Sequence, residues 1–116
     1  MSDLDSELVG RQAGPARVFM RAHGRAEIAV SVVTLAEFYE KRGLAMAREL
    51  AARFTVLGIH QADAFRCGLI QTRLAHRRLE ENDAWLAAQA LRSDAGLVTR
   101  DGRFADVPGL KVVAYA

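Results

Sequence analysis

The sequence predicts an α/β fold in which helices cover both faces of a mainly parallel sheet. Short apolar runs rich in β-branched residues alternate with longer runs of helical periodicity, an order typical of such sheets. The clearest strand is residues 28–33, and a second is residues 97–99. Neither run alternates with polar residues, as expected for strands that are covered on both faces.

Composition indicates one domain spanning residues 1–116, because this length with 51% hydrophobic residues supports a single core. The net charge is only +2, and all but two of the sixteen basic residues are arginines, which suit phosphate contacts although solvated helix faces are their commoner use. No stretch approaches the roughly 20 apolar residues that cross a bilayer. The single cysteine, Cys67, cannot pair within the chain. These features predict a cytoplasmic protein without a membrane partner.

The first half of the chain is expected to contain two helical stretches before the strand at 28–33. Residues 2–7 could form an acid-led helical turn, and residues 16–22 resume a helix. Thr34 is predicted to cap the helix that follows the strand, which puts Glu37 just past the strand's carboxyl end. The same spacing also fits a plain capping box between Thr34 and Glu37.

In the second half, helices are predicted at 44–54 and 60–78, with residues 55–57 as a short strand or a connection. Asn82 is the predicted N-cap of the next helix, and Asp83 lies in its first turn, where a carboxylate meets the positive end of the helix dipole. The strand at 97–99 leads to Asp101. Residues 102–107 should hold at most one helical turn, and a strand at 110–115 closes the chain.

Three acids, Glu37, Asp83 and Asp101, are thus predicted at strand ends or helix starts. Carboxylates gathered without matching cations repel one another, and a divalent cation usually resolves this. Mg²⁺ binds a few carboxylates plus waters, which leaves positions for a phosphate oxygen and an attacking water. Metal-assisted phosphodiester hydrolysis is the implied chemistry. Histidine and cysteine are too sparse for a zinc site, and neither a Gly-rich phosphate loop nor a Gly-x-Ser-x-Gly elbow is present.

Four sequence strings take this hypothesis further. They are IAVSVVTLAE at 28–37, NDAWLAA at 82–88, LVTRD at 97–101 and VPGL at 107–110. In this order they resemble the successive motifs of the PIN domain, and most closely those of the VapC-type toxins of bacterial toxin–antitoxin pairs. The resemblance covers roughly residues 16–115, and the combination is specific although each string alone is weak.

The resemblance implies a three-layer α/β/α fold and a Mg²⁺- or Mn²⁺-dependent endoribonuclease. Such a toxin is commonly a homodimer and is held inactive by an antitoxin of the VapB type. Glu37 matches the family's acid after the second strand, Asp83 the acid that opens the Asn-Asp helix, and Asp101 the acid of the Thr-x-Asp motif. In this picture Asp83 and Asp101 are metal ligands, and Glu37 is a ligand or orients the attacking water.

Three further residues are expected on the substrate side of the same site. Thr99 matches the hydroxyl residue that precedes the family's last acid, and Arg100 and Arg103 flank the pocket. Both arginines are predicted to contact RNA phosphates.

The start of the chain departs from the family pattern. PIN domains open with an apolar strand that ends in a Leu-Asp-Thr-like turn, whose Asp is the first metal-binding acid. Either Leu4-Asp5-Ser6 is a remnant of that turn, with Asp5 as a ligand, or the strand is absent and Asp5 is only a helix-start acid. An absent central strand would expose the edge of its neighbour and remove one carboxylate.

Three functional hypotheses therefore stay open. The first is an active metal-dependent ribonuclease toxin. The second is a truncated PIN-like module that binds antitoxin or RNA without cleaving. The third is a soluble α/β domain whose acids only cap helices.

Overall fold

The computed structural model describes residues 18–22, 26–99 and 102–114. The strands of this part of the chain form one sheet in the order β3-β2-β1-β4-β5. Their bounds are Val18–Ala22 for β1, Ala26–Ser31 for β2, Thr55–Leu57 for β3, Gly96–Thr99 for β4 and Val112–Ala114 for β5.

Four of these strands run in one direction. β2 is parallel to β3, β4 is parallel to β5, and β1 is antiparallel to both β2 and β4. The predicted α/β class with a mainly parallel sheet is confirmed, and the central strand is the one that runs the opposite way.

That central strand was not predicted. The sequence predicts a helix at 16–22, but Val18–Ala22 forms β1 at the centre of the sheet. Phe19 pairs with Ala29 on one side and with Leu97 on the other, and it is fully buried. Hydrogen bonding along both edges and burial of an aromatic ring outweigh the helical preference. The edge of β2 that an absent central strand would expose is paired with β1.

Helices lie on both faces of the sheet. Their bounds are Val32–Arg42 for α1, Leu44–Arg53 for α2, Gln61–Leu74 for α3 and Glu81–Arg92 for α4. Consecutive strand residues point to opposite faces: Ile28 and Val30 pack with the core residues of α1 and α2, whereas Ala29 packs with those of α3 and α4. The predicted three-layer arrangement is confirmed. No helix among the described residues is long and apolar enough to span a membrane.

α1 starts earlier than predicted, so Glu37 lies further along the helix than predicted. Ser31 is the N-cap, and its hydroxyl oxygen accepts a hydrogen bond from the backbone N–H of Val33 at 3.0 Å. α1 therefore begins at Val32, Thr34 lies inside its first turn, and Glu37 is more than one turn along the helix. The N-cap prediction for Thr34 and its capping box with Glu37 are wrong, because a serine three residues earlier already caps the helix.

The ends of α3 and α4 also differ from the predicted ones. α3 begins after His60, which forms a capping box with Asp63, and it ends at Leu74. A short 3₁₀ turn replaces the last predicted helical turn. α4 begins after Glu80 rather than after Asn82, so the N-cap prediction for Asn82 is wrong. Asp83 remains in the first turn, as predicted.

Candidate active site

Asp83 is a buried carboxylate at the start of α4. It lies in the first turn of α4 and is only 4% exposed. Arg103, in the 3₁₀ turn that follows β4, places Nη2 3.6 Å from Oδ2 of Asp83 and Nη1 4.0 Å from Oε1 of Glu80. The start of α4 is thus in contact with the 3₁₀ turn that follows β4.

The structure describes only some of the other predicted site residues. Thr99 is buried as the last residue of β4, and Glu37 is half-buried on α1, which contacts α4. Asp5, Arg100 and Asp101 lie outside the described residues. Within the described part of the chain, no group of three or more His, Cys, Asp or Glu side chains is arranged to hold a metal. Convergence of the three predicted acids therefore stays a prediction.

A buried polar network ties the carboxyl ends of β2 and β3 to α4. The Ser31 hydroxyl donates to Oε1 of Gln89, and Nε2 of Gln89 donates to the carbonyl oxygens of Leu57 at 3.2 Å and Gly58 at 2.9 Å. Both Ser31 and Gln89 are fully buried. The network holds the start of α1 against α4, since buried polar groups hold their partners firmly. Glu37 lies more than one turn further along α1.

Sequence reasoning missed this network, although one signal was present. Gln89 is an uncharged polar residue inside the otherwise apolar run from Ala84 to Ala90. A polar residue in a buried helix face must find hydrogen-bond partners. Which partners it finds could not be read from the sequence, because they lie 31 to 58 residues away.

Two further contacts fix the path of α4. Gln71 accepts a hydrogen bond from the Leu79 N–H at 3.0 Å and donates to the Leu79 carbonyl at 2.8 Å, which anchors the residue just before the N-cap. At the other end of α4, Nε of Arg92 lies 2.7 Å from Oδ1 of Asp63, whose side chain is fully buried. Both ends of the helix that carries Asp83 are therefore held by side chains of α3.

The chemistry of the described side chains suits a phosphate substrate. The buried carboxylate of Asp83 already lies beside a positive charge, and carboxylate oxygens are the donors that hard divalent cations prefer. The Arg103 guanidinium is more than half exposed and can exchange its carboxylate contacts for phosphate oxygens. The single cysteine, Cys67, takes no part in this chemistry. It is buried as predicted, and burial raises the pKa of its thiol.

The fold and these motifs define a PIN domain. The sequence profile of the PIN domain family matches residues 2–110, and the chain belongs to this family. It is similar to ribonuclease VapC4 of Mycobacterium tuberculosis, with 33% identity over 101 residues that cover 75% of this chain and 76% of the relative.

Two solved structures share the fold. One is VapBC2 from Rickettsia felis bound to a DNA fragment from its promoter, with a TM-score of 0.67, 21% identity and coverage of 76% of this chain and 74% of that chain. The other is DNA-bound VapBC from Salmonella typhimurium, with a TM-score of 0.62, 25% identity and coverage of 76% and 75%.

Proposed function

We propose that this PIN-domain protein is a VapC-type endoribonuclease toxin whose active site includes Asp83. The observation that carries the proposal is the buried Asp83 carboxylate at the start of α4, with Arg103 at 3.6 Å. The similarity to ribonuclease VapC4 supports the same activity. The expected location is the cytoplasm, where RNA substrates occur.

Asp83, Asp101 and Glu37 are the residues that would hold a divalent cation, with Asp5 as a further candidate ligand. Their oxygen donors fit Mg²⁺ or Mn²⁺ and exclude a soft-metal site. When bound, such a cation polarises the scissile phosphate and lowers the pKa of a bound water.

The protein's own groups would orient the substrate around these acids. Arg103 would hold a phosphate oxygen through its exposed guanidinium, and Arg100 would do so from the adjacent segment. Thr99, at the end of β4, would direct its hydroxyl toward the same region. The Ser31–Gln89 network would keep α1 and α4 in place, so that Glu37 and Asp83 keep their relative position.

Protein partners are part of the proposal. The solved relatives are VapBC assemblies, and we infer a VapB-like antitoxin and a second copy of this chain as partners. Large apolar side chains that are about half exposed or more support such contacts, among them Tyr39, Leu44, Phe65 and Leu69. Light scattering of the chain alone and with its antitoxin measures both associations.

The decisive experiment is cleavage of labelled RNA by the wild-type chain and by Asp83→Asn, with Mg²⁺ or Mn²⁺ titrated from zero. The expected result is metal-dependent cleavage that Asp83→Asn lowers at least a hundredfold. Asp106→Asn is the matched control, because Asp106 is an exposed acid in the neighbouring 3₁₀ turn that pairs only with exposed Arg77 among the contacts found. Equal activity of the wild type and Asp83→Asn would refute the role of Asp83. RNA or antitoxin binding without cleavage would identify the non-cleaving module instead.

A further inference from the structure

A cavity of about 540 Å³ lies between α3 and the beginning of α4. Cys67 and Gly68 line it from α3, while Arg78, Glu81 and Trp85 line it from the connection and from α4. We refer to it as the α3–α4 cavity. Of the predicted site residues that the structure describes, namely Glu37, Asp83, Thr99 and Arg103, none lines it.

We propose that the α3–α4 cavity binds one unpaired base of an RNA strand, with Trp85 as the aromatic surface on which the base stacks. This substrate site extends, and rests on, the proposed ribonuclease function. Trp85 is half-buried: it packs against the core and also borders the cavity. Proteins commonly recognise single-stranded RNA by stacking unpaired bases on aromatic side chains and bonding their polar edges.

Gly68 lines the cavity without a side chain. It lies in the interior of α3, where glycine is about 0.5–1 kcal/mol less favourable than alanine. A Cβ at this position would meet no atom within 4 Å, so close packing does not require a glycine. The missing side chain leaves its space to the cavity, at a cost to the stability of the helix.

The polar groups of the cavity indicate which bases it accepts. Burial raises the pKa of the Cys67 thiol most, Glu81 raises it further and Arg78 lowers it, so both charges act on this lining residue of the cavity. The Glu81 carboxylate can only accept hydrogen bonds, which favours bases with an amino group over uracil. Arg78 can donate to a base carbonyl or to the attached phosphate.

The cavity and Asp83 lie on one helix, so one RNA strand can reach both. Residues two positions apart on an α-helix point in nearly opposite directions, which places Asp83 on the other side of α4 from Glu81 and Trp85. The Asp83 side of α4 and the cavity side are therefore about 10 Å apart, the diameter of a helix with its side chains. A strand crossing the start of α4 would place a phosphate near Asp83 and a neighbouring base in the cavity.

Trp85 fluorescence measures occupancy directly, because Trp85 is the only tryptophan of the chain. The wild type is titrated with a cytidine hexanucleotide and a uridine hexanucleotide in EDTA, which prevents metal-dependent cleavage. We expect the cytidine oligomer to change the emission and to bind several-fold more tightly than the uridine oligomer. Equal affinities would overturn the role of Glu81.

Two pairs of variants test the site. Gly68→Leu fills the cavity and should weaken cytidine binding at least tenfold, and Gly68→Ala, which favours the helix, should weaken it by a smaller factor. Arg78→Gln should weaken binding several-fold. Arg73→Gln is its matched control, since Arg73 is an exposed arginine of α3 outside the cavity, and it should change the affinity less than twofold. Thermal unfolding of each variant confirms that it is folded.

The outcomes separate this site from the proposed function. If the wild type cleaves RNA but the emission does not respond, or Gly68→Leu and Gly68→Ala both bind normally, the cavity proposal is overturned and the ribonuclease remains. If binding depends on the base and on Gly68 but no metal supports cleavage, the cavity is supported and the nuclease function is rejected.

Discussion

Replacement of Gln89 by leucine tests whether the buried network holds the candidate active site together. The amide of Gln89 bonds to the Ser31 hydroxyl and to the carbonyl oxygens of Leu57 and Gly58. Leucine keeps a side chain of similar size and removes all three bonds. The loss of stability should therefore come from the polar groups that lose their bonds to Gln89, and not from a cavity in the core.

The magnitude follows from the exposure of those partners. A buried polar group left without a hydrogen bond costs about 1–3 kcal/mol. The Ser31 hydroxyl is fully buried; it keeps the bond that it accepts from the Val33 N–H but loses its acceptor, so it should carry most of that cost. Leu57 is half-buried and Gly58 is exposed, so water can replace their bonds. We expect Gln89→Leu to lower the free energy of unfolding by about 2–4 kcal/mol in total.

Urea unfolding provides the measurement, and an unchanged m-value would show that the unfolding transition exposes the same surface. The control is Gln61→Leu at an exposed position of α3, which should change the stability by less than about 0.5 kcal/mol. Ser31→Ala combined with Gln89→Leu should cost less than the sum of the single changes, because both remove the same bond. A Gln89→Leu protein as stable as Gln61→Leu would refute this account of the network.

Three further predictions concern charges and the thiol. Arg92→Ala leaves the fully buried Asp63 carboxylate without its cation and should lower the free energy of unfolding by about 3–5 kcal/mol. Lys111→Ala breaks an exposed ion pair and should lower it by less than about 1 kcal/mol. Equal losses in the two variants would contradict the argument from burial. Burial raises the pKa of Cys67, so its contribution to stability is complete below the usual thiol pKa and is lost as the pH rises through the raised value. As the pH rises above about 8.5, the usual thiol pKa, the unfolding free energy should fall less in Cys67→Ala than in the wild type, and parallel curves would exclude this effect. Arg103→Gln should weaken RNA binding and reduce the slope of log affinity against log salt concentration by about 1. Arg77→Gln, the control, should leave the slope unchanged. Identical slopes for both variants would argue against a phosphate contact at Arg103.

Local patterns account for the parts of the fold that the sequence predicted. The strand assigned to residues 28–33 is found as Ala26–Ser31, and the one assigned to 97–99 as Gly96–Thr99. Both depend on runs of apolar, largely β-branched residues that a sheet buries on both faces, whatever the partner strands. Asp83 lies in the first turn of its helix as predicted, because the acid-rich start and the Ala-rich run after it define that end within a few residues.

The errors occurred where competing local preferences were decided by distant contacts. Ser31 and Thr34 are both good N-caps, and Ser31 prevailed because its hydroxyl also reaches Gln89, 58 residues away. Residues 18–22 became a strand because β2 and β4 supply hydrogen-bonding partners on both sides.

The sequence by itself determined the α/β class, the PIN family motifs and the acids that the proposed chemistry needs, since each is a property of residues close together in the chain. Tertiary structure alone decided that β1 runs against its neighbours, that Arg103 sits against Asp83 and that Gly68 and Trp85 border one cavity. The first feature depends on strand pairing on both sides of β1. The other two join residues 17 or more positions apart, which only the packing of α4 against its neighbours brings together.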